Sequence, residues 1–281
     1  MADTQNEVYA QAYSQNIMQL AQQKYSKLLN TVYIKPNVKG KTFFQDQIGE
    51  WEMETKGGRN VATPNNDPVL SRRMGTMIDY HDNRLLDRGD ELRIISDPKS
   101  AYTIAAARSL GRKIDDVIIA AALGTSNTGE TGSGTAATPS TVSVTADSLS
   151  LKNVAAAKLA LDDADVEEED RFLVINPTLL SSALQEEKMS SADYAAVKAL
   201  VNGDINTFMG FNWITSTRLS EQSGLVGLVY QKYAMCMAMA AQPLVRTDER
   251  NDLSYSWQIY YELNVGAVRL EESRIRQLRH E

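Results

Sequence analysis

Between Asp97 and Gly124 apolar residues recur at helical spacing. Ile104, Ala107, Ile114, Val117, Ile118 and Ala121 trace one face, while Arg108, Arg112 and Asp115 fall toward another. Asp97 is a candidate N-cap, Pro98 suits the first turn, and Gly124 supplies a stop. A helix over 98–123 would run about 39 Å at a rise of about 1.5 Å per residue. Near the C-terminus the period changes to two. Leu253, Tyr255, Trp257, Ile259, Tyr261, Leu263 and Val265 hold every odd position, with Ser, Gln, Tyr, Glu or Asn between them. The alternation predicts a half-buried strand over 253–265, about 43 Å long and more than twice the usual strand length. Met235, Met237 and Met239 predict a second long strand in the same way.

Two weaker patterns stand toward the N-terminus. Tyr9, Tyr13, Ile17, Leu20 and Leu28 mark a thin amphipathic helix within 1–30, too narrow to anchor a core alone. Over 41–86, Trp51, Met53 and Thr55 alternate with Glu50, Glu52 and Glu54, and Met74, Thr76, Ile78 and Tyr80 alternate again. The Gly-, Asn- and Pro-rich stretch Gly57 to Pro68 separates the two runs, so they predict a long β-hairpin. A two-stranded ribbon is marginal in water and needs its own body or a neighbouring chain beneath it.

The middle of the chain alternates element types. Thr125 to Ser143, rich in Gly, Ser and Thr, reads as a flexible joint. Leu151, Val154, Ala155 and Leu159 predict a helix, and Phe172 to Ile175 predict a buried strand stopped by Asn176-Pro177. Short helices near Leu179 to Leu184 and Tyr194 to Val201 precede strands at Gly210 to Ile214 and Leu225 to Tyr230. This alternation predicts an α/β-like subdomain at about 145–230.

Composition narrows the function. The 281 residues are 43% hydrophobic and 23% charged, an ordinary globular balance for one large domain or two intimate ones. Apolar runs are core-sized, so no membrane span is expected, and the first residues carry no secretory pattern. Cys236 is the single cysteine, which excludes an internal disulfide framework. With 29 basic and 36 acidic residues the net charge is −7, against the positive excess of proteins that grip nucleic-acid phosphates.

Catalytic patterns are thin. Of two histidines, His280 is penultimate and His81 sits in Asp79-Tyr80-His81-Asp82, without a second nitrogen or thiolate for a metal set. Gly124 to Gly134 lacks the Gly-Lys-Ser/Thr of a phosphate loop and follows a helix rather than a strand. Asp163, Asp165 and Glu167 alternate without the turn glycine of a calcium loop, so 162–170 reads as a solvated acidic stretch. Arg269, Arg274, Arg276 and Arg279 read as surface ion-pairing groups. No catalytic residue, metal or cofactor is expected. A thin arm, an exposed ribbon and a long slab make sense where neighbouring copies supply the missing surfaces.

The order of segments resembles the major capsid protein of tailed bacteriophages, with its α+β Hong Kong 97 fold. Asp97-Pro98-Lys99-Ser100-Ala101-Tyr102, leading to Asp115-Asp116 and Ile118-Ile119, resembles that family's spine helix. Gly210-Phe211-Asn212-Trp213-Ile214 resembles a glycine-led axial-domain strand, and Val265-Gly266-Ala267-Val268-Arg269 resembles the closing peripheral strands. The resemblance covers roughly residues 40–281. It implies an N-arm at 1–40, an extended hairpin loop at 41–86, a peripheral domain at 87–144 plus 231–281, and an axial domain at 145–230.

The implied function is self-assembly into hexamers and pentamers of an icosahedral head around double-stranded DNA, with no sequence-specific DNA contact. The chain would assemble in the host cytoplasm, with a separate scaffolding protein and a portal as partners. On this reading Trp51 and Met53 supply apolar contact. Glu50, Glu52 and Glu54 pair with arginines, either Arg72 and Arg73 across the hairpin or basic residues of a neighbour. Some relatives crosslink a loop lysine to a peripheral asparagine; Lys56 and Asn251, beside Arg250, occupy the corresponding segments. Two alternatives stay open: a nanocompartment shell enclosing an enzyme, and an α/β hydrolase whose catalytic group does not show in the sequence.

Overall fold

The computed structural model describes residues 22–63, 65–86, 98–144, 151–185, 207–221, 225–240 and 244–280. The arm helix expected around Tyr9 to Leu20, the Asp97 cap and the helix at 194–201 lie outside the described residues. The chain divides into two compact units. The larger comprises Lys27–Ile78, Lys113–Ala241 and Asn264–Glu281; the smaller comprises Met1–Ser26, Asp79–Arg112 and Gln242–Leu263.

The larger unit holds a six-stranded sheet ordered Thr141–Val144, Ile275–His280, Leu225–Gln231, Arg171–Ile175, Phe211–Thr215, Thr207–Phe208. Arg171–Ile175 is buried along its whole length, which is why it reads as an unbroken apolar run. Asn176 and Pro177 end it and start the next helix, Pro177–Gln185. The Asn176 side chain accepts from Thr178 N at 3.1 Å, and proline is at home in the first turn. Val154, Ala157 and Leu161 of the helix Leu151–Asp162 cluster with Leu173, Phe211, Val229 and Leu278 to form the core.

A second sheet carries the hairpin. Thr42–Ile48 and Leu70–Thr76 pair antiparallel from Thr42 opposite Thr76 to Ile48 opposite Leu70. Trp51, Met53 and Thr55 therefore fall outside the ladder, in an irregular tip over 49–69. In continued register Pro68 would stand opposite Glu50, and proline has no N–H to give a ladder. Ile78 and Tyr80 are not part of the hairpin either; they belong to a separate strand, Ile78–Leu86. The expected flexible joint is ordered instead. Ser126–Thr128 adds to Leu70–Thr76 and Gly134–Ala136 adds to Ser126–Thr128, turning through Gly129 and Gly132 at φ +90° and +74°.

The long helix spans Pro98–Leu123, as its spacing predicts, but its buried stripe is rotated from the expected one. Ala106, Leu110, Ile114, Ile118, Ile119 and Ala122 are buried, whereas Ile104 and Ala107 are exposed. Asp115 belongs to the buried side. Its carboxylate accepts the backbone N–H groups of Lys27 at 3.2 Å and Leu28 at 3.1 Å, so the buried charge is satisfied by a crossing chain. In the smaller unit a crossing chain also explains the glycine at position 111, in the middle of this helix. A Cβ there would lie 2.9 Å from Ser26 N, which offsets the cost of about 1 kcal/mol for a mid-helix glycine.

The long strand is Ser256–Arg269, 14 residues, and begins three residues later than its alternation predicts. Residues 251–255 form a turn in which Ser254 and Tyr255 take φ of 53° and 55°, leaving Leu253 and Tyr255 exposed. Asn251 and Asp252 are turn-forming residues, and Arg250 Nε donates to Asp252 Oδ1 at 2.9 Å. In the smaller unit Leu244–Arg250 pairs with the strand's first half; in the larger, Met235–Met239 pairs with its second half. Met235–Met239 has five residues and is not a long strand; Met235 to Ala238 are all buried, so both faces are covered.

Of the four C-terminal arginines, Arg274 forms the expected ion pairs, with Glu271 at 2.6 Å and with Glu167, whereas Arg269 and Arg276 bind carbonyls at helix ends. Arg269 is fully buried and donates to Gly124 O at 2.6 Å, Ala122 O at 3.2 Å and Ala137 O at 2.7 Å. It thereby caps the carbonyl end of the long helix, where a cation also suits the helix dipole. Arg276 donates to Ala160 O at 2.7 Å at the end of Leu151–Asp162, and Arg171 pairs with Asp162 at 2.5 Å. The acidic stretch is likewise only partly solvated: Glu167 pairs with Arg274 and Asp170 lies 3.5 Å from Lys232.

Candidate assembly surface

At the root of the hairpin, Phe43 is 3% exposed and sits in a slot between two glycines. A Cβ on Gly75 would fall 2.2 Å from the Phe43 ring; one on Gly266 would fall 2.3 Å from Thr76 O and 3.2 Å from that ring. Met77, Cys236, Ala238, Val268 and Leu270 complete the cluster. Burial there pushes the Cys236 thiol up to about 11, so it behaves as a small apolar group. Arg73 fastens the same root through Leu270 O at 2.8 Å and Glu272 Oε2 at 2.8 Å. Glu272 Oε1 also accepts from Arg269 Nε at 3.3 Å, so one carboxylate joins the hairpin to the arginine that caps the long helix.

The tip is the opposite environment. Trp51 is 69% exposed and Met53 97%, and Val61 and Val69 are exposed as well. Glu54 accepts from Asn66 Nδ2 at 3.1 Å; Glu50 and Glu52 are exposed beside it. The expected intrachain pairing of these glutamates with Arg72 and Arg73 is not formed. Register puts Asp46 opposite Arg72, and the two bond at 2.5 Å while the guanidinium lies over the Phe44 ring. That hydrogen bond holds the Asp46 carboxyl below the usual aspartate range. Arg73 is committed to Glu272. Asp46, Phe43, Gly75 and Glu272 were not singled out by sequence reasoning; the register that pairs Asp46 with Arg72 follows from an irregular tip over 49–69, longer than the Gly57 to Pro68 stretch that the sequence marks.

The remaining sequence candidates are scattered. Arg250 and Asn251 lie at the turn of the smaller unit, and Lys56 lies exposed in the hairpin tip. His81 stands on Ile78–Leu86 with its ring 6.4 Å from that of Tyr260. The adjacent Asp82 accepts the Tyr261 hydroxyl at 2.6 Å; burial and then that carboxylate push the Tyr261 phenol up to about 12. Among the described residues no group of three or more His, Cys, Asp or Glu is placed to hold a metal, and no helix is long and apolar enough to cross a membrane.

Solved structures share this architecture over nearly the whole chain. The capsid of the cyanophage P-SCSP1u superposes with a TM-score of 0.77 at 15% identity, covering 98% of this chain and 94% of that one. A chain of Mycobacterium phage Che8 gives 0.72 at 15%, covering 95% and 96%. The capsid of Ralstonia phage GP4 gives 0.69 at 11%, covering 99% and 96%. The fold is thus the mixed α+β, Hong Kong 97-like capsid fold. No curated protein matches the chain in sequence. Residues 6–281 match the family of phage capsid proteins, and the chain belongs to it: it is a phage capsid protein.

Proposed function

We propose that the chain forms hexamers and pentamers that close into a head around double-stranded DNA, acting as a structural rather than a catalytic protein. The observation that carries this reading is the hairpin: a root packed as tightly as a core supports a tip that exposes Trp51 and Met53. Large apolar side chains left this open in one chain suit a shell subunit whose neighbour covers them. In this reading 1–40 is the N-arm, 41–86 the extended loop, 87–144 plus 231–281 the peripheral domain and 145–230 the axial domain. Trp51, Glu52, Met53, Glu54, Arg72, Arg73 and Arg250 contribute to contacts between copies or brace them.

The net charge of −7 suits a container whose packed DNA must not adhere to its wall. A separate scaffolding protein and a portal complete the assembly in the host cytoplasm. Membership of the phage capsid family favours this reading over a shell enclosing an enzyme. Negative-stain microscopy and sedimentation of the purified chain, alone and co-expressed with its genomic neighbours, test it. Capsomer rings or closed shells are expected; a 31.1 kDa monomer under every condition would contradict it.

A further inference from the structure

Arg72, Arg73, Arg171, Arg218, Arg250 and Arg274 each form an ion pair within the chain. Three arginines of the smaller unit do not. Arg108 and Arg112 stand one turn apart on the long helix, and Arg84 stands on Ile78–Leu86 with its guanidinium 5.8 Å from the centre of the Tyr102 ring. Among the described residues none of the three has a carboxylate partner. Arg112 donates to a neutral group, Gln22 Oε1, at 2.8 Å. Arg108 is half-buried, and its covered Nε has no acceptor among the described residues. A charge partly stripped of water and left without a counter-charge gains more from an anion than a solvated one does. Asp82 lies within electrostatic reach of Arg84, and its partner Tyr261 within reach of Arg112. Its carboxylate is already engaged, accepting the Tyr261 hydroxyl at 2.6 Å and the Asn83 N–H at 2.8 Å. One carboxylate against three guanidiniums leaves the group positive.

We infer that Arg84, Arg108 and Arg112 form a contact for the phosphate backbone of double-stranded DNA inside the head. The inference rests on the shell reading above and names where its DNA touches the wall. With a helical rise of about 1.5 Å per residue, Arg112 lies about 6 Å beyond Arg108, and Arg108 about 9 Å beyond the Tyr102 that carries Arg84. A row of like charges fits a polymer with an anion at every step, and guanidinium forks match phosphate oxygens. Phosphates carry no base identity, so the contact is independent of sequence. It is also loose. Three cations act in each copy, while the chain as a whole carries −7 and repels the rest of the polymer. A wall that meets its DNA at one small patch per copy positions the outer duplex without gripping it.

Salt dependence tests the contact directly, because each neutralised phosphate adds about −0.9 to the slope of log affinity against log salt. Anisotropy of a labelled duplex of about 20 base pairs, titrated with the full-length unassembled chain, should give a slope of about −2.7. Binding should then be about 40-fold weaker at about 200 mM salt than at about 50 mM. Arg84→Gln, Arg108→Gln and Arg112→Gln should each bring the slope to about −1.8, and the triple variant should bring it close to zero. Two duplexes of unrelated sequence should bind alike. Arg84 is exposed, so its variant carries the test should the helix substitutions disturb folding. A wild-type slope near zero, or a triple variant with the wild-type slope, would overturn the contact, and wild-type shells that still form would leave the shell reading intact. A triple variant that melts as wild type does but fails to assemble, with duplex binding unchanged, would assign the patch to another copy of the chain and overturn the inference too. Wild-type chains that bind the duplex as expected yet never assemble would overturn the shell reading instead.

Discussion

Phe43 and Met53 are ten residues apart on one hairpin, yet one is 3% exposed and the other 97%. Around Phe43 every neighbour is fitted: two glycines make room for its ring, and Arg73, Glu272 and Arg269 bond in sequence beside it. Around Met53 the tip touches little but itself. The contrast teaches that residues stabilising the fold and residues presenting the assembly surface can be separated along a single ribbon. The adjacent arginines repeat the lesson on a smaller scale. Arg73 is 11% exposed and works into the body, whereas Arg72 is 41% exposed and holds only Asp46 across the ladder.

The contrast can be broken most forcefully at its buried end. Phe43→Ala should lower the unfolding free energy of the unassembled chain by about 3–5 kcal/mol, read by denaturant titration, because the two glycines leave nothing to fill the space. Arg73→Ala should cost about 1.5–3 kcal/mol, since the carboxylate of Glu272 and the carbonyl of Leu270 lose a charged donor. Gly266→Ala should cost about 1–3 kcal/mol by overpacking against Thr76 O and the Phe43 ring; an unchanged midpoint would show the slot to be slack. Arg72→Ala, by contrast, should lower the melting temperature of the isolated chain only slightly, since an exposed pair is screened.

The smallest effect is in acid. Asp46 titrates below its ordinary 3.8 in the folded chain, so its contribution is present above that value and fades as pH falls through the lower one. Melting curves of wild type and Asp46→Asn should therefore coincide in strong acid and differ only slightly at neutral pH.

Much of this fold is legible where periodicity is strong and local. Pro98–Leu123 has the limits that its spacing, first-turn proline and terminal glycine indicate. The rotated stripe shows the limit of that reasoning: Asp115 looks solvent-facing until the chain at Lys27 and Leu28 supplies its two donors. The same applies to Arg269 and Arg276. Charge suggests water, but the open carbonyl ends of two helices, distant in sequence, accept from them instead. In the candidate surface, the apolar character of Trp51 and Met53 is visible in the alternation. The partner of Arg72 depends on hairpin register, which no single strand carries. The Gly-, Ser- and Thr-rich 125–143 segment looked like a linker because its strands are too short to alternate; a paired edge orders them.

The most direct test of the separation is to remove the tip's apolar groups and measure stability and assembly on the same material. The account predicts that the variant Trp51→Ala with Met53→Ala melts within about 0.5 kcal/mol of wild type, as exposed substitutions do. In sedimentation velocity it should fail to form the shells that wild type forms under identical conditions. A variant that assembles as wild type does, or one that loses assembly only because it unfolds, would contradict it.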